Sequence, residues 1–107
     1  MDIEISTKAV KEMLDHDPEA AVLLDCRTDE EWSGGHIPGA IHIPLADLPS
    51  RANDLDPDKT IIVYCHHGQR SFNAALFLRG QDFLEVTSLS GGIDAWAREI
   101  DPSIPRY

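Results

Sequence analysis

The sequence is short of positive charge: nine Lys and Arg stand against 19 Asp and Glu, giving a net charge of −10. Such a balance repels phosphate backbones and anionic membrane surfaces, so neither nucleic acid nor lipid is an expected partner. Long apolar runs are missing too, none approaching the roughly 20 residues that a membrane-spanning helix needs. The opening Met1-Asp2-Ile3-Glu4 has neither a basic region nor an apolar stretch, so no signal peptide is expected. Cysteine is limited to Cys26 and Cys65. These could pair, but two thiols in a chain without a leader point to a reducing cytoplasm, the expected location. Repeats, low-complexity tracts and linkers are absent as well, which leaves one continuous domain over residues 1–107.

What is present suffices for a folded unit. A chain of 107 residues with 42% hydrophobic content can bury a core without disulfides or a structural metal. The core is expected over about residues 3–100, with an extended tail at 101–107, where Pro102 and Pro105 oppose helix.

The apolar pattern alternates short runs with capped helical segments. Ile3 to Ile5 is a brief strand, and Ser6 can cap a helix whose apolar face is Ala9, Val10, Met13 and Leu14. Ala21 to Leu24 is a continuous apolar run of the kind buried on both faces, ending at Asp25-Cys26-Arg27. Thr28 with Glu31 forms a capping box for a short helix through Trp32, closed by Gly34-Gly35. Ala40 to Ile43 is another short strand, and Leu45 to Leu55 reads as a short helix and loop interrupted by Pro49.

Thr60 to Tyr64 is the strongest strand signal and runs directly into Cys65. Ser71 to Arg79 reads as a helix capped by Gly80, Phe83 to Leu89 as a last strand, and Ile93 to Ile100 as a last helix. Strands alternating with helices predict an α/β domain with a mainly parallel central sheet and helices on both faces. Ligands of such sheets bind beyond the carboxyl ends of the strands, where Cys65 and Asp25-Cys26-Arg27 both fall.

The stretch Tyr64-Cys65-His66-His67-Gly68-Gln69-Arg70-Ser71 delivers a thiol from a buried strand to a loop that opens a helix. Backbone N–H groups of such a loop converge into an anion-binding nest, and the helix start adds partial positive charge. Both favour thiolate, so Cys65 is expected to ionise below the free value of roughly 8.5. Gly68 permits the curl, and Arg70 puts a fixed charge at its rim. The nest and Arg70 together can hold a small anion even on an acidic protein.

Blander readings compete. Cys65 could be an inert buried thiol, but its place before a polar Gly-containing loop favours catalysis. Cys26 at a strand end is read as packing rather than as a resolving thiol. Adjacent His66 and His67 on a tight loop are poorly spaced for a metal, and His16, His36 and His42 are scattered, so no metal site is expected. Asp25 and Arg27 are read as braces for neighbouring loops, and the acidic Asp29-Glu30-Glu31 as solvated surface. Trp32 and Trp96 are read as core or loop anchors.

Over roughly Ile3 to Trp96 the sequence resembles the rhodanese domain family. The resemblance rests on Leu24-Asp25-Cys26-Arg27, on Glu31-Trp32 with Gly35 to Ala40, on the Cys65 loop with Arg70-Ser71, and on Gly91-Gly92-Ile93-Asp94-Ala95-Trp96. It implies a rhodanese-like three-layer domain and a sulfur transfer without metal or organic cofactor. Cys65 would attack a sulfane sulfur donor such as thiosulfate, become a persulfide and pass the sulfur to a thiophilic acceptor, a small molecule or a partner protein. His66, His67, Gly68, Gln69, Arg70 and Ser71 would form the substrate cradle, with Arg70 as anion contact and Asp25 and Arg27 in support. The position of Cys26 is often aliphatic in the family, so a second thiol near the active loop departs from the pattern. Phosphatases sharing the fold have a longer loop; here four residues separate Cys65 from Arg70, which suits a single sulfur atom. A sulfur carrier or regulatory module and a Cys26–Cys65 thiol oxidoreductase are the other readings left open.

Overall fold

Two adjacent apolar strands organise the molecule. A computed structural model describes residues 2–107. In chain order the elements are β1 (Glu4–Ile5), α1 (Thr7–His16), β2 (Val22–Asp25), α2 (Asp29–Gly34), β3 (Ile41–His42), α3 (Leu48–Arg51), β4 (Thr60–Tyr64), α4 (Gln69–Arg79), β5 (Glu85–Leu89) and α5 (Gly92–Glu99). The five strands form one sheet in the order β1-β5-β4-β2-β3, and every neighbouring pair is parallel. Parallel pairing requires crossovers that leave helices on the faces, which is why Val22–Leu24 of β2 and Ile61–Val63 of β4 are continuous apolar runs rather than alternating with polar residues.

Strand alternation divides the core in two. Ile61, Val63 and Cys65 point to one face with Leu24 and Cys26, where Ala74, Ala75 and Leu78 of α4 and Leu48 of α3 cover them. Ile62 and Tyr64 point to the other face with Leu23, covered by Val10 of α1 and by Ile93, Trp96 and Ala97 of α5. The three-layer α/β architecture is therefore as expected. Among the described residues, no helix is long and apolar enough to cross a membrane.

Local signals placed most boundaries. Ser6 caps α1 by accepting from the Ala9 amide, and the Thr28–Glu31 capping box opens α2 in both directions. Two expectations need correction. Pro49 does not interrupt a helix but sits in the first turn of α3, where a missing N–H is harmless. The helix after the loop begins at Gln69 rather than Ser71, because Gly68 at φ +114° turns the chain directly into it. Gly80 caps that helix as expected, its amide donating to the Leu76 carbonyl at 3.1 Å, in a right-handed conformation; the left-handed residue that follows is Asp82 at φ +65°.

Candidate active site

The sheet register brings the two cysteines together. Asp25 of β2 pairs with Tyr64 of β4, and the Cys26 amide donates to the Tyr64 carbonyl at 3.1 Å, extending the ladder by one step. Cys26 and Cys65 therefore leave neighbouring strands side by side, with their side chains on the same face. Both are buried, at 1% exposure.

The Cys65 loop then folds back over its own sulfur. The Gly68 amide donates to Sγ at 3.1 Å and the Ser71 amide at 3.3 Å, while the Ser71 hydroxyl lies 3.4 Å away. Ser71 is fixed in turn by the Gly68 carbonyl at 3.2 Å and the Ser88 hydroxyl at 2.7 Å. The loop carbonyls are satisfied by the start of α5, where Ile93 donates to Cys65 at 2.8 Å and Asp94 to His66 at 3.1 Å. This close approach requires Gly92: at φ +63°, any Cβ would run into the carbonyls of Cys65 and His66.

These contacts set opposite protonation states for the two thiols. Cys65 is held well below the ordinary thiol range, chiefly by the neighbouring Cys26 thiol and then by Ser71 and Gly68; burial opposes the shift without cancelling it. Cys26 is pushed up by the neighbouring Cys65, by burial and by the Asp25 carboxylate, which favours its protonated form. The expected thiolate thus has a neighbour whose influence sequence reasoning missed. Cys26 packs in the core as expected, and it shares its cluster with the reactive sulfur.

The remaining expected residues separate into different roles. Asp25 and Arg27 form a fully buried pair, with Arg27 Nη2 donating to Asp25 Oδ2 at 2.6 Å and Nε to Oδ1 at 3.0 Å. Arg27 Nη2 also donates to the Gly35 carbonyl at 2.7 Å, tying the end of α2 to β2. Bracing is what this geometry provides. Arg70 was expected to face an anion, yet both its Nη groups are taken by Glu31, at 2.6 and 2.9 Å. Glu31 is thereby not free surface: Arg70, Tyr107 and the Thr28 cap hold its carboxylate below the usual range despite partial burial. Gln69 is exposed in the first turn of α4.

His66 and His67 follow Cys65 with their rings stacked 3.8 Å apart, His67 exposed and His66 half-buried. His66 also stacks on Tyr107 at 3.9 Å, and its Nε2 is buried without a hydrogen-bond partner. The ring nitrogens of both histidines lie within 4.8 Å of each other and of an Asp94 carboxylate oxygen, a grouping that the sequence did not suggest. That carboxylate is already engaged by Arg98 at 3.2 Å and Arg106 at 3.0 Å, which makes it a poor cation ligand. His36 and His42 are satisfied locally, bonding the carbonyls of Trp32 and Arg27 and stacking with Trp32.

Tyr107 was not anticipated. The tail lies on the body as expected, with Ile104 buried and Pro105 against Gly35. It ends with the Tyr107 hydroxyl donating to Glu31 at 2.5 Å and accepting from Arg27 at 2.9 Å. Burial and the Glu31 carboxylate push its ionisation up. No local sequence pattern could have joined residues 27, 31, 70 and 107.

Similarity to known proteins agrees with this geometry. A family model for the rhodanese-like domain matches residues 6–99. YtwF of Bacillus subtilis is 42% identical over 99 residues, covering 92% of this chain and 94% of that one. A protein named sulfurtransferase from Allochromatium vinosum is 37% identical over 95 residues, 89% of this chain and 88% of that one. Among solved structures, a rhodanese-related protein from Thermoplasma volcanium superposes with a TM-score of 0.82 at 30% identity, covering 99% of this chain and all 100% of its own. With the parallel sheet, the Cys65 cradle and the match over residues 6–99 in agreement, the chain belongs to the rhodanese-like domain family.

Proposed function

We propose that the protein is a sulfurtransferase in which Cys65 accepts a sulfane sulfur from a small donor such as thiosulfate and passes it to a thiophilic acceptor. The observation that carries this reading is the convergence of the Gly68 and Ser71 amides and the Ser71 hydroxyl on the buried Cys65 Sγ, an arrangement that favours its thiolate. A thiolate is the nucleophilic form of cysteine, and amides pre-aimed at it need no reorganisation during reaction. The names of relatives such as the Allochromatium protein support the same chemistry.

In the first half-reaction the Cys65 thiolate attacks the outer sulfur of thiosulfate. A Cys65–sulfur bond forms, the sulfur–sulfur bond of the donor breaks, and sulfite leaves with the bonding pair. In the second, a nucleophile such as cyanide attacks the outer sulfur of the persulfide, thiocyanate departs, and the thiolate returns. The cradle stabilises negative charge at both stages, and no cofactor enters either step. Arg70, neutralised by Glu31, locks α2 against α4 and leaves anion binding to the amides. Gln69, His66 and His67 frame the entrance, with the exposed Gln69 and His67 able to meet donor or acceptor. A reducing compartment is the setting that keeps this thiolate available.

Intact-protein mass spectrometry after thiosulfate, and again after cyanide, tests the reading. One added sulfur atom, absent in Cys65→Ser and removed by cyanide with release of thiocyanate, is the expected result. A folded, reduced protein that gains no sulfur from thiosulfate would reject this donor class. Loading without turnover on cyanide would instead favour a sulfur carrier.

A further inference from the structure

Cys26 is a buried sulfur nucleophile that the transfer cycle leaves unused. Its register beside Cys65 across parallel strands puts the two Cα atoms at the strand spacing of about 4.8 Å. A disulfide accepts Cα separations of roughly 4.4–6.8 Å, so the register places these cysteines within the backbone range of a bond. Both side chains lie in the same buried cluster on one face of the sheet. The two are therefore poised as an attacking and a receiving sulfur.

We propose that Cys26 is a resolving thiol that discharges the Cys65 persulfide as hydrosulfide when no acceptor arrives. This rests on the sulfurtransferase reading above and adds a second outlet to it. The outer sulfur of a loaded Cys65 is anionic and takes the proton of the neighbouring Cys26. The Cys26 sulfur attacks Cys65 Sγ, forming the Cys26–Cys65 bond as the bond to the outer sulfur breaks. That sulfur leaves with the electron pair and the proton as HS⁻. The outer sulfur is reduced by two electrons, and the two cysteines supply them by becoming a disulfide. An external dithiol then attacks the disulfide, restores both thiols and is itself oxidised.

Burial sets the balance between the outlets. Cys26 is held protonated in the unloaded site, which keeps it unreactive until Cys65 carries a sulfur able to accept its proton. An acceptor that reaches the outer sulfur first completes transfer; in its absence the site empties itself and closes. The protein would then generate sulfide from sulfane sulfur at the expense of a dithiol.

The test loads the reduced full chain with inorganic polysulfide, removes the excess, and follows intact mass and free sulfide without acceptor. Wild type should first gain one sulfur atom, then convert to a species two hydrogens lighter than the reduced chain. One hydrosulfide per chain should accompany that change, with a Cys26–Cys65 cross-link in the digest. Cys26→Ser and Cys26→Ala, checked for folding by circular dichroism, should both still load, Cys26→Ala more slowly because it alone leaves no polar hydrogen beside the Cys65 thiolate. They should then keep the sulfur at least about tenfold longer, with no disulfide. Wild type holding its sulfur as long as both variants, or losing it without the cross-link, would overturn the proposal while leaving sulfur transfer intact. No loading in any of the three proteins would remove the persulfide itself, and this inference with it.

Discussion

Cys26 and Cys65 end adjacent strands of one sheet, are equally buried, and share a hydrophobic cluster, yet one is held as thiol and the other as thiolate. Residue type and burial are the same, so neither explains the difference. What differs is the chain that follows. After Cys65 the loop turns at Gly68 into the start of α4 and returns two amides and a hydroxyl to the sulfur. After Cys26 the chain runs on to Arg27, and the neighbouring Asp25 carboxylate disfavours a second negative charge. Backbone donors decide which of two neighbouring thiols ionises. The nearness of the two thiols then widens the gap, favouring charge on Cys65 and disfavouring it on Cys26.

The largest expected break in this asymmetry is Gly92→Ala. The new Cβ would collide with the carbonyls of Cys65 and His66 and would need a positive φ, so the loop must move off α5. A stability loss of about 2–4 kcal/mol is expected by chemical denaturation, the range for strain and close backbone overlap combined. With the loop displaced, Cys65 should approach ordinary thiol behaviour and the two cysteines should become alike.

A pH series of alkylation in the native protein sharpens the same contrast. Because the folded ionisation of Cys65 is depressed, its thiolate persists through neutral pH and is lost only as the pH falls through that depressed value. Iodoacetamide should therefore label Cys65 at pH 6–7 nearly as fast as at pH 8, whereas a thiol ionising near roughly 8.5 slows about tenfold per unit there. Cys26 should stay unlabelled in folded protein. Equal labelling of both residues, located by peptide mapping, would contradict the assignment.

Ser71→Ala is the mildest change. It deletes the hydroxyl 3.4 Å from Sγ but retains the amide donor. The alkylation midpoint of Cys65 should rise by about one unit, as expected for one lost hydrogen bond to a charged group. An unchanged midpoint would mean that the Ser71 hydroxyl adds nothing to what Cys26 and the amides provide.

Two of the arginine–carboxylate pairs repeat the lesson at the level of side chains. Asp25–Arg27 is fully buried and joins β2 to the end of α2, so removing either member would strand a charge in the core. Glu31–Arg70 is partly exposed at the rim, where solvent weakens it. The first is a brace between residues two apart. The second links residues 39 apart in the chain and turns an apparent acidic surface into part of the site's frame.

Much of this was determined by the sequence alone. Apolar runs at Val22–Leu24 and Ile61–Tyr64 dictate strands buried on both faces, because burying them in a parallel sheet is the favourable way to remove them from water. The Ser6 and Thr28 caps are legible because the partner amide lies three residues away. The Cys65 loop is legible for a similar reason: its donors lie three and six residues beyond the cysteine, so spacing foretells the nest. The resolving geometry of Cys26, the capture of Arg70 by Glu31 and the place of Tyr107 over His66 were not legible. Each joins residues distant in the chain, by a strand register or a returning tail that no local pattern encodes. The sequence supplied the nucleophile and its cradle; only the tertiary structure decided which thiol lies against it and which charges surround its mouth.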